Sequence, residues 1–224
     1  MKLSVMILCA LGAIVLFLVL PFMIVQAPLA YELYVNQKIL FYHASAAWVM
    51  FTTVFVCGIA SIGYLKTRKP SWDDTAAAAG DLVVIFGATS LTMGPIWAKV
   101  AWGTWWVWDA RLTSALLLWM IFVAYALIRR YGGPGSERLA AGLAIFGTAD
   151  VPLVYFAVNF WKTQHPTNSV VPTLPPEMRG IFWLTVVAMH LIYVVLLVSR
   201  LSVREGERRL HAAHDLALDA GLLE

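Results

Sequence analysis

The sequence predicts an all-α integral membrane protein, a bundle of six transmembrane helices. Three observations predict it. The 224 residues are 61% hydrophobic and only 13% charged, with a mean hydropathy of +0.76. Soluble domains sit near 45–50% apolar and about 25% charged. The apolar residues fall in six continuous runs, and the 16 Lys and Arg residues divide unevenly between alternate connections. The net charge of +3 and pI near 8.9 are too mild for a nucleic-acid partner, and the basic residues flank apolar runs instead of forming one patch. Membrane lipid is the expected solvent.

The runs cover residues 3–25, 39–65, 76–96, 112–128, 139–161 and 181–198. As helices they cross a hydrocarbon core about 30 Å thick. Helices close their own backbone hydrogen bonds, which lipid cannot do for them. Continuous runs exclude a β-barrel, whose strands alternate. The first run is longer than the roughly 7–15 residues of a signal h-region, so it is expected to be a retained helix. Residues 1–200 form the six-span domain and 201–224 a polar tail, helical at its start.

Loop charge sets the orientation. Lys2, Lys66, Arg68, Lys69, Arg129, Arg130, Arg138, Arg200, Arg204, Arg208 and Arg209 fall on one side; Lys38, Lys99, Arg111, Lys162 and Arg179 fall on the other. Basic loops stay in the cytoplasm, so both termini are expected there. The inner connections are short, and Tyr131–Ser136 reads as a Gly-Pro turn. The outer ones, 26–38, 97–111 and 162–179, carry aromatic, Pro and His residues and can meet over one end of the bundle.

Five of the ten tryptophans lie between residues 97 and 108. Interfacial anchoring accounts for one or two; five in one short stretch suggest a surface for a flat π-ligand or a quaternary ammonium. Read as a helix, the stretch puts Trp102, Trp105, Trp106 and Asp109 on one broad face, with Trp108 beside them. Of the five histidines, His43 and His165 reach the level of this stretch. His190 lies about 14 Å into the sixth span, near the expected depth of Asp150. Intramembrane ionisable groups need partners, so Asp150 and His190 are expected to pair. His211 and His214 sit in the tail as a solvated helix face. Cys9 and Cys57 lie within apolar runs and form no CxxC or CxxCH, so packing is expected of them and covalent c-type haem attachment is not.

The stretch WGTWWVWDARLTS resembles the WGxxWxWD pattern of the haem-handling proteins of cytochrome c maturation, and most closely the family of cytochrome c maturation protein C, or haem exporter protein C. Trp102, Gly103, Trp106, Trp108 and Asp109 match its fixed positions. FYHASAAW around His43 and NFWKTQH around His165 resemble the family's two ligand segments. Ser45 departs from an expected proline, and Phe160 from an expected tryptophan pair. The resemblance implies b-type, non-covalent haem on the periplasmic face of the bacterial inner membrane. His43 and His165 are the implied axial ligands to iron, with Trp102, Gly103, Trp105, Trp106, Trp108, Asp109 and Arg111 as cofactor-binding residues. Arg111 is also close enough in sequence to pair with Asp109. The implied partners are the periplasmic haem chaperone (cytochrome c maturation protein E), the ABC-type maturation proteins A and B, and the small maturation protein D.

No GxxxxGK[ST], HExxH or GxSxG motif occurs, so ATP use belongs to a partner and hydrolysis is not expected. The expected activity is holding and delivering haem, with assistance in its covalent attachment to the chaperone, a haem-lyase-like role, as the enzymatic possibility. Two other readings stand: a b-type cytochrome subunit in quinone-linked electron transfer, and a transporter that cages an organic cation in its indoles.

Overall fold

The computed structural model describes residues 3–28, 37–165 and 170–221. Lys2, most of the first expected outer connection, residues 166–169 of the third and residues 222–224 of the tail lie outside them. The described residues form seven helices: α1 Leu3–Gln26, α2 Ile39–Thr67, α3 Pro70–Trp102, α4 Ala110–Tyr131, α5 Ser136–Phe160, the single turn α6 Val170–Thr173, and α7 Pro176–Asp219. Six of them are long and apolar enough to cross a membrane, and no strand occurs among the described residues. The chain is a multi-pass helical membrane protein.

Two helices differ from expectation in their bounds. α3 runs from 70 to 102, well past both ends of the predicted span. Its start is set by backbone chemistry. Arg68 turns left-handed at φ 58°, its N–H closes on the Tyr64 carbonyl, and Pro70 occupies the first helical position. The α2–α3 connection is therefore shorter than the gap between the second and third predicted runs. At the other end of the chain, α7 passes residue 200 without a break and continues to 219, so the last span and the tail are one helix about 66 Å long. The YGGPGS turn is as expected, with Gly133 and Gly135 at φ 70° and 89° between α4 and α5.

α2 packs most extensively on α3 and also meets α5 and α7; α4 lies against α3 and α5; α1 rests on α7. The main core joins α2, α3, α4 and α5 through Val54, Cys57, Val83, Leu118, Phe122, Tyr125 and Val154. Cys57 is buried and donates to the Ala76 carbonyl at 3.2 Å, consistent with a packing role. α1 leaves Leu8, Phe22 and Val25 about 70% exposed. Such a helix suits lipid and would be a liability in water.

In lipid, helix association rests on close van der Waals packing, and small residues allow the approach. The first turns of α3 show this. Ala76 to Ala79 are buried, and an added Cβ at Gly80 would stand 2.3 Å from the Tyr125 ring.

One end of the bundle is charged. Arg129 makes a two-pronged pair with Asp73, Arg200 and Arg204 meet Asp81, and Arg208 meets Asp74. These pairs tie the start of α3 to the end of α4 and to the middle of α7. The opposite end holds the tryptophans and the two candidate histidines. Gly80→Val should cost about 1–3 kcal/mol through overpacking against Tyr125, read as a lower unfolding temperature of the protein in detergent. An unchanged unfolding temperature would contradict this packing.

Candidate functional site

The last turns of α3 organise the tryptophan-bearing end. The helix continues through Pro95 to Trp102 and stops because Gly103 adopts φ 75°, a left-handed value that favours glycine. The Lys99 ammonium donates to the Gly103 carbonyl at 3.0 Å and closes the helix end. The tryptophan stretch is therefore not one helix. Trp97 and Trp102 are helical, while residues 103–109 form an irregular loop in which the Thr104 hydroxyl donates to the Trp106 carbonyl at 3.1 Å. The expected i, i+3, i+4, i+7 face fails because Gly103 ends the helix before Trp105.

The loop still gathers its rings. Trp97 and Trp102 meet edge to face at 5.3 Å, and Trp106 and Trp108 do so at 5.7 Å. Trp105 and Trp108 are 57% and 76% exposed, so their faces are open to a ligand or to lipid headgroups. The indole nitrogens of Trp97 and Trp106 are buried with no acceptor among the described residues. An unpartnered buried N–H is costly, so these two donors suit a ligand that brings acceptors.

Asp109 holds the loop in place. One carboxylate oxygen accepts from the Leu112 N–H at 2.9 Å and caps α4. The other accepts from the Gln164 N–H at 2.8 Å. One side chain thus joins the tryptophan loop, the start of α4 and the segment carrying His165. Both oxygens serve backbone donors, which makes Asp109 a clamp. The expected Arg111–Asp109 pair is absent among the described residues. Arg111 reaches α5 instead and donates to the Val154 and Tyr155 carbonyls, each at 2.9 Å. Its guanidinium fork can serve two carbonyls on the facing helix at once.

The two histidines attach to this frame separately. The His165 ring lies 6.5 Å from Trp102, edge to face, and its carbonyl accepts from the Thr163 hydroxyl at 3.2 Å. His43, on α2, lies against α3. Its Nδ1 stands 3.0 Å from the Ser90 carbonyl. A carbonyl only accepts, so Nδ1 carries the proton, and Nε2 of the neutral ring keeps its lone pair. Metal-ligating histidines are commonly oriented in this way, with the second ring nitrogen donating to a carbonyl.

His190 and Asp150 do not pair. His190 Nδ1 meets the Val186 carbonyl at 2.8 Å and its Nε2 meets Thr52 Oγ1 at 3.1 Å. Asp150 lies on α5, which packs on α2 and α4, while α7 packs on α1, α2 and α3. Asp150 Oδ2 is buried without a partner among the described residues. Similar depth in the two spans was no guide to which helices are neighbours. His211 and His214 are exposed, and no three His, Cys, Asp or Glu side chains gather as a metal site among the described residues.

Ser90 and Trp97 join the site although sequence reasoning did not select them. Only Trp97 carried a signal, as the first tryptophan of the cluster.

Together these features define a polytopic helical membrane protein with an indole-lined end that carries imidazoles. Residues 1–214 match the family described as Heme exporter protein C. The Heme exporter protein C of Bradyrhizobium diazoefficiens is 34% identical over 175 residues, covering 77% of this chain and 66% of that protein. That of Escherichia coli K12 is 32% identical over 162 residues, covering 69% and 64%. A putative cytochrome c biosynthesis ccmC-like mitochondrial protein of Marchantia polymorpha is 31% identical over 144 residues, covering 64% and 61%. The chain belongs to the haem exporter protein C family. The aligned part spans a little under two thirds of the length of these relatives.

Asp109→Asn keeps an oxygen for one of the two backbone donors but turns an N–H toward the other. Hydrogen bonds to charged groups contribute about 1.5–3 kcal/mol. The Gln164 or Leu112 amide of the variant should therefore exchange hydrogen at least about tenfold faster, as read by mass spectrometry. Unchanged protection at both amides would contradict the clamp.

Proposed function

We propose that this protein receives haem at its indole-lined end and delivers it to a periplasmic haem chaperone for c-type cytochrome biogenesis. Haem is the cargo, bound without a covalent link to this chain. His43 and His165 are the axial ligands, and the exposed indoles of Trp105 and Trp108 supply a stacking surface. The observation that carries the reading is the preset imidazole of His43, whose Nδ1 is engaged by Ser90 and whose Nε2 is left for iron.

Other features of the site fit the cargo. A porphyrin brings a flat apolar plate and two carboxylates. The plate matches indole faces, and the carboxylates match the unpartnered N–H donors of Trp97 and Trp106. Lys162 and Arg179, both exposed, remain as cations for the same carboxylates. Lys38, Lys99 and Arg111 are engaged with backbone carbonyls. Lys38 and Lys99 close helix ends near the site, and Arg111 ties the start of α4 to α5.

Two axial imidazoles fill the coordination sphere of iron and keep it unreactive until transfer. Delivery then requires the acceptor to displace a ligand at an accessible edge. Asp109 joins the His165 segment to the tryptophan loop, so movement of that segment is the natural release step. The charged end carries most of the Lys and Arg residues and faces the cytoplasm by the positive-inside rule. The site accordingly faces the periplasm from the inner membrane, with both termini inside. The acceptor is the chaperone, maturation protein E. ATP use falls to the ABC-type maturation proteins A and B, with the small maturation protein D in the same assembly. A b-type cytochrome subunit would draw ligands from between spans, whereas the intramembrane His190 has both ring nitrogens engaged.

The purified protein should show a low-spin ferric Soret spectrum. His43→Ala and His165→Ala should each convert it to high spin or lose haem. Low-spin wild-type spectra in both variants would overturn the assignment of ligands.

A further inference from the structure

α3 carries glycine at positions 80, 87 and 94. Seven residues return a straight helix to within about 20° of the same face. At each of the three a neighbouring ring occupies the space of a side chain. Tyr125 lies 2.3 Å from an added Cβ at Gly80, Trp119 lies 2.5 Å from one at Gly87, and His43 lies 3.0 Å from one at Gly94. Tyr125 and Trp119 come from α4, and their contacts belong to core packing. The third ring is the imidazole to which the proposed function assigns iron.

The geometry at Gly94 is specific. The atoms of His43 nearest to the added Cβ are Cε1 at 3.0 Å, Nδ1 at 3.5 Å and Nε2 at 3.9 Å. Nδ1 also sits 3.0 Å from the Ser90 carbonyl, four residues earlier on α3. The ring is thus held by one hydrogen bond and by contact with a bare backbone. Nε2 is the nitrogen farther from the helix. A methyl group at position 94 would push on the carbon between the two nitrogens. The ring would have to give by a few tenths of an ångström, and it cannot move far from α3 without stretching the bond to Ser90.

We infer that Gly94 is a positioning residue for haem ligation: it seats the His43 imidazole against α3 so that Nδ1 meets the Ser90 carbonyl and Nε2 points to iron. The inference rests on His43 being an axial ligand. It predicts that bulk at position 94 changes the coordination of iron, whereas bulk at position 87 on the same face changes only stability.

The test uses the full-length protein purified with haem. Ferric absorbance and electron paramagnetic resonance spectra are recorded for the wild type, Gly94→Ala, Gly94→Val, Gly87→Ala and His43→Ala. Gly94→Ala should convert part of the low-spin signal to high spin. Gly94→Val should reduce the low-spin fraction about tenfold, approaching His43→Ala. Gly87→Ala should lower the unfolding temperature and keep the wild-type spin state. Wild-type spectra for Gly94→Ala and Gly94→Val, beside a lost low-spin signal in His43→Ala, would overturn the inference and leave the ligand assignment standing. An equal spectral change in Gly87→Ala would also overturn it, because general distortion of α3 would then suffice. If Gly94→Val cannot be recovered from membranes, an unchanged Gly94→Ala spectrum is enough to overturn it. A wild-type spectrum for His43→Ala would remove the ligand assignment and the inference together.

Discussion

Lipid offers no hydrogen bonds, so the backbone polar groups near the hydrocarbon must be answered from within the protein. The tryptophan-bearing end of the bundle is built around that constraint. Lys38 closes α1 on the Val25 and Ala27 carbonyls. Lys99 closes α3 on Gly103, Asp109 caps α4, and Arg111 reaches two carbonyls of α5. The charged side chains at this end are therefore largely committed to backbone. The exposed indoles of Trp105 and Trp108 are left to face a ligand, and that suits a large, mostly apolar, flat cargo better than a small ion.

The same constraint explains why the site spans several elements. A loop of irregular backbone next to lipid must be pinned, and the Asp109 carboxylate does so with one oxygen on each of two segments. α3 supplies the remaining order. Its carbonyl at Ser90 orients His43, and its last residue, Trp102, touches His165. One helix thus contacts both candidate ligands, and its length past the predicted end is what makes this possible.

Much of this was legible in the sequence. Lipid favours long uninterrupted apolar runs, and the six spans were read from them. His43, His165 and the tryptophan stretch were found because rare residue types stand at one expected depth. Three features were not legible. The tryptophan stretch has helical spacing, but Gly103 takes a left-handed backbone and ends the helix. Asp150 and His190 lie at similar expected depths, but depth carries no information about which helices pack together. Gly94 is ordinary in a membrane helix. Its spacing of seven from Gly87 and Gly80 was visible, but the ring on it became evident only once α2 and α3 were in contact.

The decisive measurement is a structure of the haem-loaded protein in a lipid nanodisc. Iron should lie between the His43 and His165 rings, with Nε2 of His43 toward the metal and the carboxylates within reach of the Trp97 and Trp106 indole nitrogens. Porphyrin density against His190, or anywhere out of contact with His43 and His165, would contradict this arrangement.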